Sequence, residues 1–226
     1  MCEDVIIRNC NISSHCNAIK CGTESNGGFK DIIIQDCIIT PSDHEEVVYG
    51  LKEGLAGIAL EVVDGGIMDN VSVSGIHITG TAAPVFIRLG DRGRVFKKGQ
   101  SKPGVGIMQN ISLSEIISEG SSNMGCMIAG ISDHPIKNLL FSNIKLSFKG
   151  GGKVEDGTRQ FDEKSDQYPE CTMFAERLPA YGFYFWHVEG LILKNVDLTT
   201  KEVDHRNAIL FEKVTNILLN GKPFVY

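Results

Sequence analysis

Lys30-Asp31-Ile32-Ile33-Ile34-Gln35-Asp36-Cys37-Ile38-Ile39 carries the pattern on which the architecture turns. A polar Asp is followed by apolar residues at alternate positions, a polar pair, and a further apolar residue. Alternation with period two marks a half-buried strand. The same pattern stands upstream at Glu3-Asp4-Val5-Ile6-Ile7-Arg8-Asn9-Cys10-Asn11-Ile12 and downstream at Met68-Asp69-Asn70-Val71-Ser72-Val73-Ser74-Gly75-Ile76-His77-Ile78. It returns at Gln109–Ile116, Lys137–Ile144, Glu189–Val196 and Thr215–Asn220. The anchors Val5, Ile32, Val71, Ile111, Leu139, Leu191 and Ile217 lie 27, 39, 40, 28, 52 and 26 residues apart. A minimal period near 26 with variable insertions is the signature of a solenoid with loops on one face.

Second strands are expected between the anchors, at Asn17–Thr23, Gly57–Val63, Pro84–Gly90, Gly125–Gly130, Tyr181–Val188 and Ala208–Lys213. The expectation is an all-β chain: a right-handed parallel β-helix of about seven coils. It is read as one domain over 1–226, without N-terminal coils, and with a long loop insertion over about 149–178. Cys10, Cys37, Ile76, Ile116, Ile144 and Val196 share one repeat position, so they are expected to form an interior ladder, with both cysteines buried and reduced. No N-terminal cap is visible before Val5, which leaves an open coil that a second copy could cover.

Composition narrows the function. Net charge is −6, which does not suit a nucleic-acid surface, and no stretch of about 20 apolar residues is present to span a membrane. Seven cysteines without a Cys-x-x-Cys spacing exclude a complete disulfide framework and a zinc or redox motif. The start, Met-Cys-Glu-Asp, has no signal-peptide pattern, which places the chain as written in a reducing compartment unless a leader precedes it.

The run Cys16-Asn17-Ala18-Ile19-Lys20-Cys21-Gly22-Thr23-Glu24-Ser25-Asn26-Gly27-Gly28-Phe29-Lys30-Asp31-Ile32 resembles a coil of glycoside hydrolase family 28, the polygalacturonases and related pectin hydrolases. Gly57-Ile58-Ala59-Leu60-Glu61 resembles that family's next cleft strand. Pro84–Gly90 and Pro179–Tyr184 resemble later segments of bacterial relatives. The resemblance implies a parallel β-helix, action on acidic polysaccharide or oligosaccharide, no cofactor, and a periplasmic or secreted location. The family's Gly-His-Gly falls on Cys16-Asn17-Ala18, and its Arg-Ile-Lys on Ala59-Leu60-Glu61. Its acid and base aspartates would precede Met1. A noncatalytic carbohydrate-binding or structural β-helix is therefore the alternative reading. A polysaccharide lyase is a third, but it would want clustered aspartates for calcium, and no strand carries them. No metal site is expected.

Strand parity singles out candidate residues. With Ile19, Cys21, Ile58, Leu60, Ile87 and Leu89 inward, Lys20, Glu61 and Arg88 point outward and are expected in one row. Glycoside hydrolysis needs two carboxyl groups. Glu61 and Asp64, at the end of a strand, are the best local catalytic pair, ahead of Glu24, Asp43 and His44. The segment Arg88–Lys102 carries six basic residues against Asp91, so Arg88, Arg92 and Arg94 with Lys20 are expected to bind sugar carboxylates. In Tyr181-Gly182-Phe183-Tyr184-Phe185-Trp186-His187, Phe183 and Phe185 are expected in the core, with Tyr184 and His187 along the substrate face.

Overall fold

The computed structural model describes residues 1–226. It has thirteen strands: β1 (Cys2–Arg8), β2 (Asn11–Ser13), β3 (Ile19–Cys21), β4 (Phe29–Thr40), β5 (Ala56–Val62), β6 (Ile67–Thr79), β7 (Ala83–Leu89), β8 (Ile107–Ser121), β9 (Cys126–Ala129), β10 (Ile136–Phe148), β11 (Ala180–Thr200), β12 (Asn207–Leu219) and β13 (Lys222–Phe224). Two short 3-10 turns, Val154–Thr158 and Cys171–Met173, are the only helical elements. The strands form one curled sheet in the order β1-β4-β6-β8-β10-β11-β9-β7-β5-β3, with β12 on the far side of β11. All pairings are parallel except the last, where β13 folds back antiparallel on β12.

The register follows the sequence repeat. Val5 pairs with Ile32, Ile32 with Val71, Val71 with Ile111, Ile111 with Leu139, Leu139 with Leu191, and Leu191 with Ile217. These residues enter a core cluster of 35 buried side chains fed by both flanks of the sheet, with Val5 packed at its margin. Every anchor follows a left-handed residue: Asp4, Asp31, Asn70, Asn110, Asn138, Gly190 or Asn216, at φ between 53° and 78°. Asn and Asp tolerate this region better than other residues with a Cβ, which is why the repeat begins with them. Their amides also link the layers: Asn70 Nδ2 donates to Asp31 Oδ1 at 2.6 Å, and Asn138 Nδ2 to Asn110 Oδ1 at 2.9 Å.

Cys37, Ile76, Ile116, Ile144 and Val196 form the second ladder. Cys10 lies beside Cys37, its carbonyl accepting from Ile38 N–H at 2.8 Å, and all seven cysteines are free. One expectation needs correcting. Cys10 is only half-buried, because β2 is an outermost strand with nothing packed on its far side. Burial pushes the Cys126 thiol up to about 12. Under native conditions a thiol reagent should therefore label exposed Cys2 rapidly and leave Cys37, Cys126 and Cys171 unmodified until unfolding. Rapid native labelling of Cys126 would contradict this packing.

A second apolar cluster sits on the outward side of β5, β7, β9 and β11. Ala59, Phe86, Met127 and Tyr184 pair in one row across these strands, with Ala129 and Trp186 in the next. The 149–178 segment roofs them with Cys171, Phe174 and Leu178. Parallel strands covered on both faces read as unbroken apolar runs. Ala56–Val62 and Ala83–Leu89 are accordingly buried at every position.

Candidate functional site

The outward row is not the open groove that parity implied. Glu61 pairs with Arg88, but Lys20 pairs with Ala59, one outward step earlier. Lys20 still meets Glu61, with Nζ 3.0 Å from Oε2. Gly22 explains the contact. A Cβ there would come within 2.9 Å of the Glu61 Cβ, so the glycine leaves the carboxyl free to lean towards the end of β3. There Thr23 Oγ1 donates to Glu61 Oε2 at 2.9 Å.

Glu61 is 0% exposed, and its Oε1 has no partner. Burial pushes the carboxyl up to about 7, Lys20 and Thr23 pull it back only in part, and the Glu170 charge adds to the rise. Burial would lower Lys20, but the Glu61 charge outweighs it and leaves the ammonium raised. A carboxyl with a pKa near neutrality is the environment expected of a proton donor. The linkage has a definite sign. Between about 4.5 and about 7 the folded state holds more protons on Glu61 than the unfolded chain does, so Glu61 costs stability as pH rises through that window. Glu61→Gln should accordingly become more stable relative to wild type, by about 3 kcal/mol, between pH 4 and pH 8 in urea melts. A pH-independent difference would contradict the raised carboxyl.

The other expected site residues are committed to the fold. Asp64 is 0% exposed and accepts from Arg92 Nε at 2.9 Å, from Arg92 Nη2, and from Arg94 N–H at 2.9 Å. It anchors the loop after β7, so it is not a free catalytic partner for Glu61. Arg88 is 1% exposed and gives Nη1 to the Gly130 carbonyl at 3.0 Å and Nη2 to the Glu163 carbonyl. Its guanidinium lies 5.5 Å from the Phe174 ring, and burial lowers its pKa to about 10. Arg88 clamps the 149–178 segment and offers no surface to a sugar.

Tyr184 and His187 are corrected likewise. Phe183 and Phe185 do enter the main core, and Tyr184 does point the other way, but the roof buries it and its hydroxyl donates to Glu212. His187 is buried at a left-handed corner, φ 52°, with Nε2 2.8 Å from Glu163 Oε1 but without hydrogen-bond geometry. Burial lowers its pKa while Glu163 opposes the shift.

What the fold brings together instead is Lys20, Glu61, Thr23, Arg92, Arg94, Glu24 and Tyr168. Tyr168, on the inserted segment, is half exposed, with Lys20 Nζ 5.3 Å and the Arg92 guanidinium 5.5 Å from its ring centre. Its hydroxyl is 3.5 Å from Lys20 Nζ. Glu170 lies behind, nearly buried, accepting from Asn17 Nδ2 at 3.2 Å and from Cys171 N–H at 3.0 Å. Asn17 also accepts from Ala56 N–H at 3.0 Å, so it is a bridge between strand and roof. Beside the cluster lies a surface depression of about 700 Å³, lined by Asn26, Val95, Phe96 and Pro103 among others. No group of three or more His, Cys, Asp or Glu is placed to hold a metal ion.

Fold and site thus define an all-β protein of parallel strands with a sealed, near-neutral carboxyl next to a partly open cationic and aromatic surface. Comparison with family models, with curated proteins and with solved structures gave no match.

Proposed function

We propose that the chain is a right-handed parallel β-helix of the glycoside hydrolase kind, acting on uronate-bearing polysaccharide or oligosaccharide. The β-helix reading is supported by the unbroken parallel register from Val5 to Ile217. The observation that carries the activity is Glu61, a fully buried carboxyl with one oxygen free and a pKa raised to about 7 by burial. In this reading Glu61 Oε1, sealed in the unliganded chain, is uncovered when substrate binds and Glu61 then protonates the leaving glycosidic oxygen, while Lys20 holds its other oxygen and the surface formed by Tyr168, Arg92 and Arg94 receives the acidic sugar. The resemblance to glycoside hydrolase family 28 points to the same substrate class. The test is release of reducing ends from a panel of acidic oligosaccharides by wild type and by Glu61→Gln.

A second reading, binding without turnover, is favoured by one observation. Asp64 and Glu170 have both carboxylate oxygens engaged, and Glu24 is paired through Oε1 with Arg92 and Arg94, so no unpaired carboxylate stands beside Glu61. Saturable binding of acidic oligosaccharide with no bond cleavage is the result that would select it.

A further inference from the structure

Glu24 stands out because its charge is spent in an unusual place. One oxygen, Oε1, lies 3.3 Å from Arg92 Nη2 and 3.0 Å from Arg94 Nη1. We propose that Arg92 and Arg94 form a carboxylate-binding fork that Glu24 fills in the unliganded protein, and that a uronate binds by displacing Glu24, with Tyr168 as the platform for its ring. The inference rests on the acidic-saccharide reading above and names how that surface selects its ligand.

The two arginines differ in a way that suits the role. The Arg92 side chain is 10% exposed and held by the buried carboxylate of Asp64, so it keeps its position whether or not Glu24 is present. Arg94 and Glu24 are 65% and 66% exposed, and a pair as open as that is weak and readily exchanged. The Arg94 backbone is fixed: its N–H donates to Asp64 Oδ1 at 2.9 Å, and its carbonyl accepts from Asn26 Nδ2 at 2.7 Å. A preformed fork with a loosely held internal occupant is a site whose competent fraction is reduced by self-occupancy.

Charge conservation then gives selectivity. Arg92 and Arg94 are balanced by Asp64 and Glu24. An incoming carboxylate that replaces Glu24 preserves the balance, and planar guanidinium forks suit carboxylates. A neutral sugar would leave Glu24 in place and gain nothing from the arginines. Tyr168 is half exposed with the Arg92 guanidinium 5.5 Å from its ring centre, and the depression bounded by Asn26 and the exposed Phe96 gives the chain of sugars room to continue.

The experiment is a calorimetric titration of a galacturonate trimer and of its neutral methyl ester into wild type, Glu24→Gln, Arg94→Ala and the double variant Glu24→Gln/Arg94→Ala, at one ionic strength. Glu24→Gln should bind the acidic trimer roughly two- to fivefold more tightly, as expected when an exposed competing pair is removed. Arg94→Ala should weaken the trimer, and the double variant should lose the gain, because a mere reduction in negative charge would survive the loss of Arg94. The ester should not respond to Glu24→Gln. Trimer binding that is unchanged or weaker in Glu24→Gln, or a gain that persists in the double variant, overturns displacement and leaves the role of Glu61 standing. Failure of wild type and Glu24→Gln alike to bind the trimer overturns both.

Discussion

Glu61→Gln is expected to lower turnover of an acidic oligosaccharide by roughly 10²–10⁴-fold, the usual contribution of a positioned general acid. The substitution is close to isosteric. Thr23 Oγ1 can still donate to the amide oxygen, as it does to Glu61 Oε2 at 2.9 Å. Near neutral pH the wild-type carboxyl is itself partly protonated, so exchange for a neutral amide removes little charge from the fold. Binding should therefore survive while bond cleavage does not, a split between KM and kcat that a folding defect would not produce. Lys20→Met acts in the opposite sense on the same group. It removes the cation 3.0 Å from Oε2, so the Glu61 carboxyl should titrate higher and the alkaline limb of the pH–rate profile, where the proton donor is lost, should move to higher pH. An unchanged kcat in Glu61→Gln would leave the surface a binding role only.

The second large effect concerns stability. Arg206→Ala is expected to cost about 3–5 kcal/mol, read as a fall in the urea midpoint. Arg206 and Asp204 form a sealed pair, 0% and 1% exposed, at 2.8 Å. The guanidinium also satisfies the carbonyls of Asn123 at 2.8 Å, Leu178 at 2.9 Å and Met124 at 3.3 Å, while Asp204 accepts from Gly152 N–H at 2.9 Å. Truncation strands a buried carboxylate and the carbonyls of Asn123 and Leu178, each a desolvation penalty with no return, while the Met124 carbonyl keeps the Leu178 N–H at 3.0 Å. Because the pair ties both ends of the 149–178 segment to the turn that leads into β12, its loss should also loosen the roof over Trp186 and Tyr184 and raise tryptophan exposure. Replacing both members by apolar residues of similar size should cost much less than either single change. A loss under 1 kcal/mol in Arg206→Ala would contradict this role.

The layered architecture was legible because two independent signals coincide in each repeat. Period-two alternation marks the inward residues, and the preceding Asn or Asp marks the left-handed corner that starts the strand. Variable insertions did not obscure the pattern, since each anchor pairs only with its neighbours in adjacent repeats. Parity also told correctly which side Glu61, Arg88 and Tyr184 point to. It carries no information about what covers that side, and here a segment 61 to 90 residues beyond Arg88 in sequence roofs it. That is why Arg88, Tyr184 and His187 read as surface groups and proved buried. Lys20 was misplaced by one step because register depends on backbone pairing, and Gly22 and Thr23, which draw Glu61 towards it, have no periodic signature. Tyr168 and Glu170 reach the site from irregular backbone, where no spacing rule applies.

The most direct test is a proton NMR time course of a galacturonate trimer incubated with the wild-type chain and, separately, with Glu61→Gln. The account predicts new anomeric signals from cleaved product with wild type and their near absence with Glu61→Gln, although both proteins broaden the trimer resonances on binding. An intact trimer after prolonged incubation with wild type, or equal cleavage by both proteins, would contradict the assignment of Glu61 as the proton donor.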